Sequence, residues 1–241
     1  MKILAFDSTA KAASVAVCED EKLLAVYNID NGLTQSELLL PMATAALTSL
    51  GLKMSDIGLF AATMGPGSFT GVRIGAALIK GLAFGRDIPC VGVSTLESLA
   101  ENLMPISDAI IVPAMDARRG QLYTAIFESD GCRLNRLTPD SAISTSELAE
   151  LLKPYYARRI YIVGDGYSVA YNALTALGVP LECTPALLRA QNAYSTAKIA
   201  ARRYAAGEAV TDLDIAPTYL RVPQAERERL ERLMAEEKQN G

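Results

Sequence analysis

FAATMGPGSFTGVRIGAALIKGLAF, at residues 60–84, is the most informative segment of the 241-residue chain. A short and mostly apolar run at 60–64 is typical of a buried strand. Gly65, Pro66 and further glycines interrupt that run, and a helical pattern resumes at Val72. The segment therefore predicts a strand, a glycine-rich turn and a helix, in that order.

The glycine turn is a candidate anion site, because a turn entering a helix N-terminus presents free N–H groups and the positive end of the helix dipole. Its spacing matches neither the P-loop nor the dinucleotide-binding fingerprint. A tight turn that lets the helix pack closely against a sheet is the competing interpretation. The residues that we assign to a possible, vestigial phosphate or nucleotide loop are Asp7, Ser8, Gly67, Ser68, Thr70 and Gly71.

Composition excludes several classes of chemistry. The chain has no histidine, which removes Ser-His-Asp and Cys-His catalysis and every metal site that needs imidazole. Its net charge of -4 argues against a dedicated nucleic-acid surface. The four cysteines form no CxxC pair and are predicted to be reduced core thiols of a cytoplasmic protein. Asp7 comes too early for a signal peptide, and no apolar run is long enough to span a membrane.

The second half of the sequence restarts the first. Residues 110–127 resemble residues 2–17, since each segment is an apolar strand that ends in an acid, followed by a basic turn and a small-residue strand. The acid is Asp116 in one copy and Asp7 in the other. For Asp7 two roles are open: holding a hydrated Mg²⁺ near a nucleotide phosphate, or capping its own turn.

A further repeat supports the division into two domains. Residues 160–166 repeat the strand and glycine turn described above. The sequence predicts related α/β domains at 1–104 and 105–241, the second ending in a charged tail. A cleft between two such halves is a frequent ligand site.

Two predicted helices, 35–50 and 71–84, carry almost no charge. Such helices are either covered on both sides within one fold or form a surface for a partner, and we favour the partner surface. We expect Ala46→Glu or Ala76→Arg to disrupt pairing without unfolding the monomer. The residues assigned to the interface are Leu39, Met42, Ala43, Ala46, Leu50, Gly71, Gly75, Ala76 and Ile79.

Three motifs together resemble the TsaB family, formerly named YeaZ. They are GPGSFTGVRIG at 65–75, ILAFDST at 3–9 and PTYLR at 217–221, so the resemblance covers the chain from end to end. It implies an α/β protein of the actin-like ATPase (ASKHA), ribonuclease H-like fold with two duplicated domains.

The resemblance also implies a function. Members of this family act in threonylcarbamoylation of adenosine 37 (t6A) in tRNAs that read codons starting with A. They are non-catalytic partners of TsaD, a homologue that binds metal and transfers the threonylcarbamoyl group, and the ATPase TsaE joins them in bacteria. Their first two helices form a bundle with TsaD, or with a second copy when TsaD is absent.

For this chain the resemblance implies no catalytic residue, no metal and no cofactor. It also implies contact with tRNA only through the complex, no membrane association, and a cytoplasmic location. Two other classes remain open. One is an ATP- or carbamoyl-using ASKHA enzyme that employs Asp7, Asp116 and the glycine turns at 65–71 and 164–166. The other is a peptidase, which the missing histidines make much weaker.

Overall fold

The first half of the chain builds a five-stranded sheet. The computed structural model describes residues 1–118 and 120–221. The strands of this sheet are β1 (Lys2–Asp7), β2 (Ala13–Glu19), β3 (Lys22–Ile29), β4 (Leu59–Thr63) and β5 (Cys90–Val93). Their order is β3-β2-β1-β4-β5. The central strand β1 pairs antiparallel with β2 and parallel with β4.

The second half repeats this arrangement. Its strands are β6 (Ser107–Asp116), β7 (Gln121–Thr124), β8 (Phe127–Asp130), β9 (Leu134–Arg136), β10 (Ser141–Ser144), β11 (Arg159–Val163) and β12 (Leu181–Glu182). The main path runs β10-β7-β6-β11-β12, and β8 pairs with β6 and β9. Strand β6 pairs antiparallel with β7 and parallel with β11, as β1 does with β2 and β4. The predicted duplication is confirmed, and Asp116 ends β6 as Asp7 ends β1.

Helices connect and cover the strands. They are α1 (Gln35–Ser49), α2 (Phe69–Ala83), α3 (Thr95–Glu101), α4 (Thr145–Leu152), α5 (Tyr167–Ala176) and α6 (Ala193–Ala205). The predicted order of strand, glycine turn and helix is confirmed as β4, a turn and α2. Ser68 ends the turn, because its Oγ accepts a hydrogen bond of 3.2 Å from the Gly71 N–H and so caps α2.

Helices α1 and α2 lie side by side on one face of the first sheet. Apolar side chains recur along each helix at the spacing that places them on one stripe, and that stripe meets the sheet. Leu39 and Ile79 are among the helix residues that pack with Phe6 and Phe60 in this core. Burial in the chain's own core therefore accounts for much of the apolar character of both helices.

Helices α3 and α6 each pack on the sheet of the other half. Residues of α6 pack on the first sheet, where Ala197 and Ala200 contact Ile3 and its neighbours. Residues of α3 pack on the second sheet, where Leu99 lies in the same cluster as other core residues of that sheet. The assignment of 105–241 as a whole to the second domain therefore needs correction at α6, because its apolar face is buried by the first sheet.

Polar contacts join α3 to α6. Glu101 is only 1% exposed, and its carboxylate lies 2.8 Å from Nη2 of Arg202 and 2.9 Å from Nζ of Lys198. The hydroxyl groups of Ser98 and Thr196 lie 2.9 Å apart. Two cationic partners balance the charge of the buried carboxylate, so these contacts join α3 of the first half to α6 of the second.

Other sequence predictions have mixed outcomes. The core-thiol prediction is wrong for Cys132 and Cys183, which are exposed in loop segments, whereas Cys18 and Cys90 are buried. The predicted charged tail beyond Arg221 lies outside the described residues. Among the residues that are described, none of the helices has the length and apolar content needed to cross a bilayer.

Candidate functional site

A cleft of about 930 Å³ separates the two halves. The ends of β1 and β6 approach it, so the two repeated acids lie at the base of corresponding turns. The segments that line it are residues 9–11, 32–35, 66–70 and 115–118, the side chains of Asp30, Val72, Tyr123 and Asp165, and residues 218–221. The predicted location of a cleft between related halves is thereby found in the structure.

Asp7 caps its own turn. The side chain is fully buried, and Oδ1 accepts hydrogen bonds from Thr9 N (3.0 Å) and Thr9 Oγ1 (2.6 Å). Among the described residues Oδ2 has no hydrogen-bond partner. Burial raises the pKa of this carboxyl, and the Thr9 hydrogen bonds oppose the shift. Of the two roles left open by the sequence, the capping role is therefore the one that the geometry shows.

The glycines of α2 accommodate the β1–β2 turn. A Cβ at Gly71 would overlap the carbonyl oxygen of Ser8, and one at Gly75 would lie 2.6 Å from Ser8 Oγ. Ser8 Oγ also donates a 2.8 Å hydrogen bond to the Gly71 carbonyl oxygen. These glycines therefore permit a close approach within the chain, whereas the sequence analysis assigned both to a partner interface.

Some of the N–H groups at the start of α2 are occupied. Ser68 N donates to Thr9 O (2.7 Å), Gly71 N to Ser68 Oγ, and Val72 N to Ser68 O (2.9 Å). The structure brings the assigned phosphate-loop residues together, but several of the donors that would face an anion already have partners. Thr70 is exposed and Ser68 retains solvent access. Anion binding by this loop stays a prediction.

Two carboxylates from the second half, Asp116 and Asp165, line the cleft. Asp165 keeps contact with solvent, but the surrounding protein desolvates its carboxylate and raises its pKa to about 6, and the carboxylates of Asp116 and Asp7 add to the shift. Asp116 Oδ1 accepts a hydrogen bond of 2.7 Å from Arg118 N. The described residues contain no group of three metal-ligating side chains from the Cys, Asp and Glu classes.

Arg73 is held by two aromatic residues that line the cleft. Its guanidinium carbon lies 3.7 Å from the Phe69 ring centroid, and its Nε donates a 3.0 Å hydrogen bond to Tyr219 Oη. The stacking and the hydrogen bond together orient the side chain over the C-terminal segment. Arg73, the one cation in the first turns of α2, therefore has its stacking and hydrogen-bonding partners within the chain.

The residues that we assigned to a partner interface lie almost entirely inside the monomer. Leu39, Ala43, Ala46 and Ile79 are at most 1% exposed. This assignment needs correction, because the apolar stripe of each helix faces the sheet. The buried members of the assigned set are Leu39, Met42, Ala43, Ala46, Gly71, Gly75, Ala76 and Ile79, and Leu50 is half-buried.

A different face of the same helices is exposed. On α1 every exposed residue from Leu40 to Ser49 is uncharged, and Leu40 itself is 47% exposed. Phe84, which follows α2, is 76% exposed. We call this exposed surface the outer face. It consists of Leu40, Pro41, Thr44, Ala45, Thr48 and Ser49 of α1, of Ala77 and Gly81 of α2, and of Phe84, which follows α2.

Comparisons with known proteins identify the family to which this chain belongs. A family model described as "TsaD: tRNA N6-adenosine threonylcarbamoyltransferase" matches residues 34–228. The Escherichia coli protein "tRNA threonylcarbamoyladenosine biosynthesis protein TsaB" is 32% identical over 92% of this chain and 95% of its own length. The chain belongs to the TsaB family. A Bacillus subtilis TsaB is 35% identical over 64% of this chain and 66% of its own length.

Solved structures agree on the fold. A crystal structure titled "YeaZ from Pseudomonas aeruginosa" has a TM-score of 0.74 and 24% identity, covering 91% of this chain and 99% of that one. Together with the repeated sheets, this likeness shows the actin-like ATPase (ASKHA) fold of the TsaB family. The match to the TsaD family model fits the paralogy of TsaB and TsaD.

Among the cleft residues without an assigned role in the sequence analysis are Asp165, Tyr219 and Arg221. Asp165 belongs to the second glycine turn, whose repeat was recognised while its acid was not assigned to the site. Tyr219 and Arg221 belong to the PTYLR motif and line the cleft. The signal for all three was present, but only the folded chain shows that distant segments meet here.

Proposed function

We propose that this chain is a non-catalytic subunit that binds a TsaD protein through the outer face. Membership of the TsaB family supports a role in tRNA threonylcarbamoyladenosine biosynthesis. The observation that carries the partner role is the uncharged, exposed surface of α1, beside which α2 and the residue after it expose Ala77, Gly81 and Phe84. A contiguous apolar patch on a surface helix pair is typical of a protein-binding site.

The size of the surface supports this proposal. A stable interface buries roughly 800 Å² on each partner, and two adjacent helices of about four turns can supply that area. Burial of apolar surface contributes about 25 cal/mol per Å², so Leu40 and Phe84 favour a covered state. The buried residues first assigned to the interface support it from beneath, by fixing both helices on the sheet.

The proposal extends to the other members of the system. Self-association through the same outer face takes place when TsaD is absent, and TsaE joins the TsaD complex. The chain contacts tRNA only through that complex and acts in the cytoplasm. It binds no cofactor of its own.

An enzyme of the ASKHA fold is the second candidate, favoured by the cleft with Asp116 and Asp165 on its walls. Against it stands the occupation of three donors in the β1–β2 and glycine turns, the N–H groups of Thr9, Ser68 and Gly71, which reduces the capacity for phosphate. A peptidase is the weakest candidate. A Pseudomonas aeruginosa structure with a TM-score of 0.76 and 24% identity is titled as similar to "peptidase YEAZ", but that likeness shows the fold alone, and this chain has no histidine.

Mixing the purified chain with TsaD from the same organism, and measuring the mass of the complex by light scattering after gel filtration, tests the proposal. Ala45→Glu places a charge on the outer face and is expected to weaken binding at least tenfold, because the carboxylate loses water without gaining a partner. Ala176→Glu, on the exposed side of α5, is the matched control and should bind as the parent does. Equal binding by both variants would show that TsaD docks elsewhere.

A further inference from the structure

The segment 213–221, which we call the strap, follows α2 along its length. Lys80, near the end of α2, donates from Nζ to Leu213 O at 3.1 Å. Arg73, one turn into α2, donates to the Tyr219 hydroxyl. The strap therefore runs from the C-terminal end of α2 back to its N-terminal end.

The first part of the strap is built into the first half. Ile215 is 3% exposed and belongs to the core beneath α1 and α2. Thr218 N donates a 2.7 Å hydrogen bond to Met64 O, directly after β4. Gly65 has no space for a side chain, because a Cβ would overlap the Thr218 carbonyl oxygen. These contacts fix the strap at the mouth of the cleft.

The end of the strap reaches the second half. Arg221 Nη1 donates a 2.8 Å hydrogen bond to Ala117 O, in the β6–β7 turn. Its guanidinium carbon lies 5.7 Å from the Tyr123 ring centroid, within reach of a cation–π contact. One short segment thus holds the first half by its backbone and the second half by a side chain.

This connection lies on the cleft, whereas the polar contacts between α3 and α6 do not. Residues 218–221 line the cleft, and none of the lining residues belongs to α3 or α6, the helices whose polar contacts join the halves elsewhere. Ala10 of the first half packs with Met115 of the second at the cleft, so the strap adds a polar attachment to an apolar one. Linked domains are expected to move relative to each other, and each contact added at the cleft limits that movement.

We propose that the strap is a latch, in which Arg221 holds the β6–β7 turn against the first half and limits opening of the cleft. The hydrogen bond from a charged guanidinium to a carbonyl is stronger than one between neutral groups, so a single side chain can perform this role. Release of Arg221 frees the turn and widens access to Asp116 and Asp165. The latch is internal to the chain and does not depend on the binding of TsaD.

Hydrogen exchange of the full chain, with and without Arg221→Ala, tests the latch. The peptide spanning residues 117–121 contains two turn hydrogen bonds, from Ala117 N to Gln121 O and from Gln121 N to Arg118 O. Loss of the Arg221 contact is expected to speed exchange in this peptide roughly tenfold, the factor that corresponds to one charge-assisted hydrogen bond. Exchange in α6 should not change.

Two further variants complete the experiment. Arg221→Lys keeps a cationic donor that can reach a carbonyl and should lie closer to the parent than Arg221→Ala. Arg86→Ala removes an exposed cation beyond α2 and should leave the 117–121 peptide unchanged. Parental exchange in Arg221→Ala would overturn the proposal. Faster exchange throughout the chain, α6 included, would also overturn it, because Arg221 would then stabilise the whole fold and not one contact.

Discussion

The carbonyl oxygen of Ser8 occupies the space in which a side chain at Gly71 would begin. The contact joins the first turn of the chain to the helix of the glycine motif, although 63 positions separate the two residues. It explains why α2 begins with a glycine among its first residues, since no other residue type lets the β1–β2 turn pack this closely.

Substitution of this glycine should destabilise the protein. We expect Gly71→Ala to lower the free energy of unfolding by about 1–3 kcal/mol, because the new methyl group meets backbone that cannot rotate away. Gly81→Ala is a matched control on the same helix, where no atom lies within 4 Å of a new Cβ. That change should raise stability by about 0.5–1 kcal/mol, since alanine is the better helix former. Urea unfolding measures both, and equal effects would contradict the packing argument.

The structure reverses the expectation for Ala46→Glu. Ala46 is fully buried, so a carboxylate there is expected to cost about 3 kcal/mol or more and to unfold a large share of the protein. Ala45→Glu, at the neighbouring exposed position, should change stability by less than about 0.5 kcal/mol. Thermal unfolding compares the two. A well-folded Ala46→Glu monomer would show that α1 is not held on the sheet as described.

Ala76→Arg is subject to the same correction. Ala76 is 4% exposed and lies in the core shared by α1, α2 and the first sheet. A disrupted dimer in this variant would therefore report unfolding and not the loss of an interface.

The buried carboxylate between α3 and α6 should contribute strongly. Glu101→Ala leaves Lys198 and Arg202 without their shared partner, and we expect a loss of about 3–5 kcal/mol in the free energy of unfolding. Glu150→Ala breaks the exposed pair with Lys153 and should cost far less, because solvent screens both charges. Denaturant titrations of both variants give the comparison, and similar losses would mean that burial does not govern the contribution of these pairs.

Asp165 should make stability depend on pH. Its pKa rises from 3.8 to about 6 on folding, so the folded chain binds the extra proton and stability falls as pH rises through about 6. Asp165→Asn removes this dependence. The variant should be as stable as the parent below about pH 4 and more stable than the parent at pH 7. The difference in the free energy of unfolding should be less than about 1 kcal/mol, because solvent screens the partly exposed carboxylate. Melting temperatures of both proteins from pH 4 to 8 provide the test, and parallel curves would contradict the pKa shift.

ATP should bind weakly to the isolated chain. The N–H groups of Thr9, Ser68 and Gly71 have internal partners, and Arg73 is stacked on Phe69 and hydrogen-bonded to Tyr219. A triphosphate would thus meet a glycine turn that has no cation and in which some of the N–H donors are already occupied. Calorimetric titration with ATP and Mg²⁺ should show no saturation at micromolar concentrations, and micromolar binding would favour the ASKHA-enzyme alternative.

The local sequence pattern was sufficient to predict the strand, turn and helix at 60–84 and the duplication of the chain. The apolar run, glycine turn and helix at 60–84 formed as predicted, because each depends on residues close in sequence. The repeated strand endings at Asp7 and Asp116 likewise revealed the duplication, since each copy has a strand that ends in an acid and is followed by a turn and a second strand.

Tertiary contacts decided which sides of the helices are buried and which segments distant in sequence meet. The apolar stripes of α1 and α2 have the same pattern whether a partner or the chain's own sheet covers them, so the sequence could not assign Ala46 to the core and Ala45 to the surface. The crossing of α6 onto the first sheet, the Ser8–Gly71 contact and the reach of Arg221 to Ala117 each join residues far apart in sequence. Burial and such distant contacts depend on the packing of the whole chain, and no local spacing encodes them.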